Sequence, residues 1–144
     1  MNMTETKIDI RFPDCDPMGV VHHGVYPIWY EIARMDIFKE LGFPWADMNK
    51  LCIDPAMVNL ELNYLAPLYY PGSVTVRTKL LFCEGKKIKL QYECYQGDRC
   101  CNRATSFHIW TKRGQNGMSD LTSIHLGEHL PAIYKKLQTA CESE

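Results

Sequence analysis

Between Arg11 and Gly42 the chain reads RFPDCDPMGVVHHGVYPIWYEIARMDIFKELG. Asp14 and Asp16 flank Cys15, Gly19 and Gly24 punctuate the stretch, and His22 and His23 stand together just ahead of an aromatic-rich segment. A thiolate nucleophile at Cys15 is disfavoured, because neighbouring negative charge raises a thiol pKa and suppresses the reactive form. A metal centre has little support. Adjacent histidines on extended chain tend to point their rings apart, and His108, His125 and His129 lie at spacings that match no zinc pattern. Asp14 and Asp16 could cap turns, and His22 is expected to make a structural hydrogen bond. The other reading of the acids is acyl transfer. Their loop leads into a helix N-terminus, whose free N–H groups and positive dipole end favour an anion. The two glycines let backbone approach a ligand. A carboxylate facing such donors can attack, or orient water, while the donors hold the developing oxyanion.

The leaving group decides between acyl compounds. Amides and alkyl esters need an acid to release amine or alkoxide, whereas a thiol of pKa about 8.5 departs readily as thiolate. An aspartate of pKa about 4 is a weak base at pH 7, yet it can act as a nucleophile through a mixed anhydride. A carboxylate with backbone donors, and no clear Ser-His or Cys-His pair, therefore suits a thioester best.

Several elements must position these groups. Thr6 to Phe12 alternates as a half-buried strand, with Ile8, Ile10 and Phe12 on its inner face. Pro13 to Gly24 is a loop by composition. A helix is predicted from Gly24 or Val25, with Pro27 in its first turn and a stop at Gly42 and Pro44. Tyr26, Tyr30, Ala33, Ile37 and Leu41 follow its period, and Ile28, Trp29, Ile32, Met35 and Phe38 widen the apolar surface, so the helix should be covered on most sides. Four alternating segments follow. One face of each carries, in order, Val58, Leu60, Leu62 and Tyr64; then Val74, Val76, Thr78, Leu80 and Phe82; then Ile88, Leu90, Tyr92 and Cys94; the last sets Ala104, Ser106, His108 and Trp110 against Arg103, Thr105, Phe107, Ile109 and Thr111. CEGKKI and YQGDRC read as hairpin turns of an antiparallel meander. A short amphipathic helix is predicted from Glu128 to Gln138, its stripe formed by Leu130, Ile133, Tyr134 and Leu137. One curved five-stranded sheet around one long helix leaves edges uncovered, so association of copies is expected.

The 144 residues fit a single domain spanning 1–144. A formal net charge of −1 provides no field for nucleic acid or an anionic membrane. No apolar run approaches a membrane span, and the polar start MNMTETKIDI lacks the regions of a signal peptide, so a cytoplasmic location is expected. Seven cysteines, odd in number and without C-x-x-C, read as reduced small hydrophobes.

DCDPMGVVHHGVY, followed by WYEIAR and ELG, resembles the 4-hydroxybenzoyl-CoA thioesterase family of hotdog-fold enzymes, and LELNYLAPLYYPGSVTVRT extends the likeness over residues 6 to 113. The resemblance implies an α+β hotdog fold and an acyl-CoA thioesterase that releases free acid and CoA. It also implies homodimers or homotetramers whose active sites are shared between subunits. It assigns the catalytic carboxylate to Asp16, as nucleophile or general base, and a carbonyl-polarising backbone N–H to His23. It implies substrate contacts at Gly24, Tyr26, Asn63 and Tyr64, and phosphate contacts from Lys86 and Lys87. No cofactor is expected beyond the coenzyme A of the substrate. Related enzymes can use a helix glutamate, for which Glu31 is the counterpart. The alternatives are a hotdog hydratase or dehydratase pairing His23 with Glu31, and a non-catalytic acyl-CoA binder.

Overall fold

The structure, a computed structural model, describes residues 3–114 and 116–142. Strand β1 (Met3–Asp9) leads through a single 3-10 turn (Phe12–Asp14) to helix α1 (Tyr26–Glu40). A short helix α2 (Trp45–Leu51) follows, then strands β2 (Ile53–Tyr64), β3 (Ser73–Glu84), β4 (Lys87–Gln96) and β5 (Arg99–Gly114). Strand β6 (Gly117–Ser123) and helices α3 (Leu126–His129) and α4 (Pro131–Glu142) complete the order. The antiparallel sheet runs β1-β3-β4-β5-β2, with β6 paired to one end of β5. It curls around α1, as the resemblance implies. β6 extends the expected five strands to six, and α2 is a helix that no apolar periodicity announced.

Alternation places the inner face. Val74, Val76, Thr78 and Leu80 of β3, Ile88, Leu90, Tyr92 and Cys94 of β4, and Ala104, Ser106, His108 and Trp110 of β5 are all buried. They meet Tyr26, Trp29, Tyr30, Ala33, Ile37 and Phe38 of α1. On β1 the inner parity continues through Thr4 and Thr6, which donate to Glu40 Oε2 (2.7 Å) and Asp36 Oδ2 (2.6 Å) and so tie the strand to the helix.

Four expectations are corrected here. Phe12 leaves the inner face: β1 ends at Asp9 and the 3-10 turn carries Phe12 outward, 74% exposed. A bulge between Leu80 and Phe82 shifts the parity of β3, so Cys83 enters the core while Phe82 joins Phe107 on the outer face, ring centroids 6.0 Å apart. The far flank of α1 is open within one chain, with Ile28 55% and Ile32 45% exposed. The C-terminal helix is broken in two, because Pro131 lacks the N–H that would continue α3 into α4. Leu137 and Ala140 of α4 are buried.

Candidate active site

The loop after β1 is built by its two aspartates in different ways. Asp14 is buried at 2% exposure and its Oδ2 accepts the Arg11 N–H (2.8 Å), while Oδ1 accepts from the Arg11 guanidinium (2.8 Å). That pairing raises the Arg11 guanidinium above its ordinary range, first through the hydrogen bond and then through charge attraction. Asp14 is therefore the turn-building acid. Its carbonyl also accepts the His22 N–H (2.8 Å), which holds the second half of the loop against the first.

Asp16 closes a tighter turn. Its Oδ1 accepts the Met18 N–H (2.8 Å) and, at longer range, the Val20 N–H (3.4 Å). Its own N–H donates to the Val20 carbonyl (2.8 Å), and Gly19 donates to its carbonyl (2.9 Å) from a left-handed φ of +81° that favours glycine. The two edges of this loop pair as Cys15 with Val21, and Val20 pairs on to Tyr69. Thus one carboxylate oxygen is fixed by the backbone. Among the described residues no hydrogen bond engages Oδ2. The carboxylate lies in the wall of a cleft of about 380 Å³, shared with Phe12, Pro13, Cys15, Pro17, Gly19 and Tyr70. Phe12 and Tyr70 meet edge to face at its rim, centroids 5.7 Å apart.

At the start of α1, His22 makes the structural bond expected of it: its Nδ1 accepts the Gly24 N–H (2.9 Å). The rings of His22 and His23 do not point apart as expected. They lie face to face, 4.0 Å between centroids and 31° between planes, because the chain turns helically at this point. The His23 carbonyl accepts from the Tyr64 hydroxyl (2.8 Å), which pins the end of β2 to the mouth of α1. Among the described residues, no acceptor engages the His23 N–H. Tyr26 packs edge to face on both Tyr64 (5.5 Å) and Trp29 (5.4 Å). Burial, and then the nearby Cys94 and Cys101 thiols, push the Tyr26 phenol well above its ordinary range, so it is a neutral wall.

The structure thus gathers His23, Gly24, Tyr26 and Tyr64 at the start of α1, while Asp16 stands in the preceding loop, in the cleft it shares with Phe12 and Tyr70. Asn63 is not among them: it faces outward beside Arg103 in the β2–β5 register. Lys86 and Lys87 are not brought there either. They occupy the β3–β4 turn, where Lys86 Nζ reaches Ser123 Oγ (3.2 Å). β3 has 12 residues between that turn and the loop end of the sheet, a span of roughly 40 Å at strand rise. Glu31 stands on the exposed flank of α1.

Beneath α1 lies a polar chain that residue types alone did not reveal. Arg34 donates to the Tyr92 hydroxyl oxygen (3.2 Å), Tyr92 contacts Ser106 Oγ (2.6 Å), Ser106 contacts His108 Nε2 (2.7 Å), and His108 Nδ1 contacts the Pro55 carbonyl (3.2 Å). Only one proton arrangement satisfies every member. The Pro55 carbonyl can only accept, so His108 donates from Nδ1 and accepts at Nε2 from Ser106, which accepts in turn from Tyr92. Tyr92 also stacks on Tyr30 (4.8 Å), and the Tyr30 hydroxyl donates to Asn102 Oδ1 (2.6 Å). The inward parity of β5 was the available signal, since it set Ser106 and His108 on the core side.

The model of the thioesterase-like superfamily matches residues 10–137. A putative acyl-CoA thioesterase, YneP of Bacillus subtilis, is 32% identical over 110 residues, covering 76% of this chain and 80% of that protein. Among solved structures, a DHNA-CoA thioesterase from Staphylococcus aureus superposes with a TM-score of 0.85 at 28% identity, over 94% of this chain and 89% of the other. The 4-hydroxybenzoyl CoA thioesterase of a Pseudomonas species gives a TM-score of 0.80 at 21% identity, over 95% and 99% of the two chains. The fold is the hotdog fold.

Proposed function

The chain belongs to the thioesterase-like superfamily, and from that premise we propose that it hydrolyses acyl-coenzyme A thioesters, with Asp16 as the catalytic carboxylate. The observation that carries this reading is the way Asp16 is held. Two backbone N–H groups grip Oδ1 and leave Oδ2 at the cleft, so the carboxylate is oriented without being neutralised by a cationic side chain. A fixed anion of this kind attacks the thioester carbonyl or aligns water upon it. The His23 N–H at the mouth of α1 is the donor for the carbonyl oxygen as charge develops there. The thiolate of coenzyme A then leaves without an acid.

Tyr26 and Tyr64 form the acyl wall, and the site is completed by a second copy. β2 is an open edge, and an antiparallel two-fold pairing of β2 with its counterpart sets the Tyr64 end of one chain beside the Ile53 end of the other. The second copy's Lys86 and Lys87 lie at that end, because Lys87 aligns with Ile109 of β5, and Ile109 with Ala56 of β2. There they can meet the phosphates of coenzyme A. A homodimer, or a homotetramer made from it, is the assembly this reading requires. The thiols of Cys15, Cys52, Cys83, Cys94, Cys100 and Cys101, none in a disulfide, suit a reducing compartment such as the cytoplasm. Asn63 retains its place only as a rim residue of the paired edge. A hydratase would need Glu31 beside His23, and no hydrogen bond joins them among the described residues.

The test is thiol release from a panel of acyl-CoA thioesters. Asp16→Asn is expected to lower kcat by about two to four orders of magnitude, with KM nearly unchanged. Wild-type turnover in Asp16→Asn would overturn the assignment. Single turnover in ¹⁸O water then bears on the two roles of Asp16: label in its carboxylate marks the nucleophile, because only an anhydride opened by water at the Asp16 carbon puts it there.

A further inference from the structure

We propose that the side-chain amide of Asn102 is a specificity-determining donor that takes an oxygen acceptor on the acyl group of the substrate. The inference rests on the thioesterase reading and deepens it. Asn102 is fully buried on the inner face of β5. Its Oδ1 accepts from the Tyr30 hydroxyl (2.6 Å), but its Nδ2 is buried without a hydrogen-bond partner. Turning the amide over does not remove the difficulty. The Tyr30 hydroxyl would then serve Nδ2, and Oδ1 would be left unmatched. One end of this amide is unsatisfied in either orientation, and a buried polar group in that state needs a partner from elsewhere.

Its position says which partner. Asn102 is aligned with Tyr64 on β2 and with Cys94 on β4. Aligned residues of antiparallel strands project from the same face, so the amide lies next to the ring that bonds the His23 carbonyl. Tyr26 closes the other side of that ring, and Tyr30 stands one helical turn beyond Tyr26 on α1. On the proposed reading, in which Tyr26 and Tyr64 wall the acyl group, the amide therefore lies directly behind that wall. Access is from the Tyr64 side. Tyr64 is 52% exposed, and withdrawal of its ring breaks a single hydrogen bond. The Tyr30 hydroxyl, by donating to Oδ1, fixes the amide with Nδ2 as its unpaired donor. An acyl group with a carbonyl or hydroxyl oxygen in its near half satisfies it. A plain hydrocarbon covers it and leaves it unpaired, and discrimination of that kind is large.

The experiment compares acyl-CoA pairs that differ by one oxygen: octanoyl against 3-oxooctanoyl and 3-hydroxyoctanoyl, and benzoyl against its ring-hydroxylated forms. Wild type is expected to favour the oxygen-bearing member of at least one pair by about 10- to 100-fold in kcat/KM. Asn102→Leu should bring that ratio to within about threefold of unity, and Tyr30→Phe, which frees the amide to turn, should lower it severalfold while keeping the fold. A purely structural Asn102 would lose stability in these variants with the ratio unmoved, and that result overturns the proposal. Calorimetric binding of the same thioesters separates the two readings. Hydrolysis without preference removes the role of Asn102 and leaves the hydrolase. Preferential binding without hydrolysis removes the hydrolase and leaves the role of Asn102.

Discussion

His108 shows what a single buried side chain does to this protein. It is fully buried, and burial, followed by the charge of Arg34, lowers its pKa from 6.5 to about 4. A proton added at Nε2 would face the Ser106 hydroxyl, reverse the chain, and turn Tyr92 against the donor it already accepts from Arg34. In the unfolded chain His108 titrates near 6.5, so above that pH neither state carries the proton and the group contributes nothing to pH dependence. Between 6.5 and 4 only the unfolded chain is protonated, and stability falls as the pH falls. The loss is about 3 kcal/mol at most for a shift of this size, and it levels off below the folded pKa. Urea denaturation at pH 7, 5.5 and 4.5 should follow that decline, and His108→Gln should flatten it while lowering stability at pH 7. An equally steep profile in His108→Gln would assign the acid sensitivity to other groups. The two aspartates of the loop differ just as sharply: one is paired with Arg11, and the other is held by backbone N–H groups at Oδ1 alone.

Among the elements, β3 carries the clearest lesson. Its alternation reads as one apolar face from Val74 to Phe82, yet the bulge sends Phe82 outward and brings Cys83 in. Leu80→Ala should therefore cost about 2–4 kcal/mol, as expected for a leucine with no room to relax, and Phe82→Ala clearly less despite the larger side chain. Midpoints of urea unfolding order the two variants, and a larger loss at Phe82 would place its ring in the core. α1 is held on one flank by β1, through Thr4 and Thr6, and by β3, and it leaves Ile28 and Ile32 uncovered on the other. That asymmetry leaves one flank of α1 open within a single chain.

For the molecule as a whole, the decisive surface is that open side. β2 has 12 residues, and Val58, 56% exposed, sits at its bulge beside the partly buried Leu60 and Leu62. β1, the other edge, has 7 residues and is bound to α1. A lysine is a common device for blunting an edge strand. On the proposed reading, in which a second copy would bring the phosphate-binding turn, Val58→Lys should shift the protein toward the monomer in sedimentation equilibrium and lower thiol release. A monomer of undiminished activity would show the site to be complete in one chain. Among the described residues, no helix is long and apolar enough to cross a membrane.

The sequence by itself determined α1 and the long strands β4 and β5, with the residues that share a face on each. Alternation in β4 and β5 and the aromatic period of α1 are local consequences of what each segment must bury, and DCDPMGVVHHGVY marked the loop because its chemistry is contiguous. Only the tertiary structure decided the bulges, the exposure of Phe12, the division of labour between Asp14 and Asp16, and the meeting of Tyr64 with His23 across 41 residues. It alone put Tyr30 against Asn102, 72 residues away. The physical reason is that a hydrogen bond depends on direction and a few tenths of an ångström between groups far apart in the chain, whereas burial by alternation depends only on near neighbours.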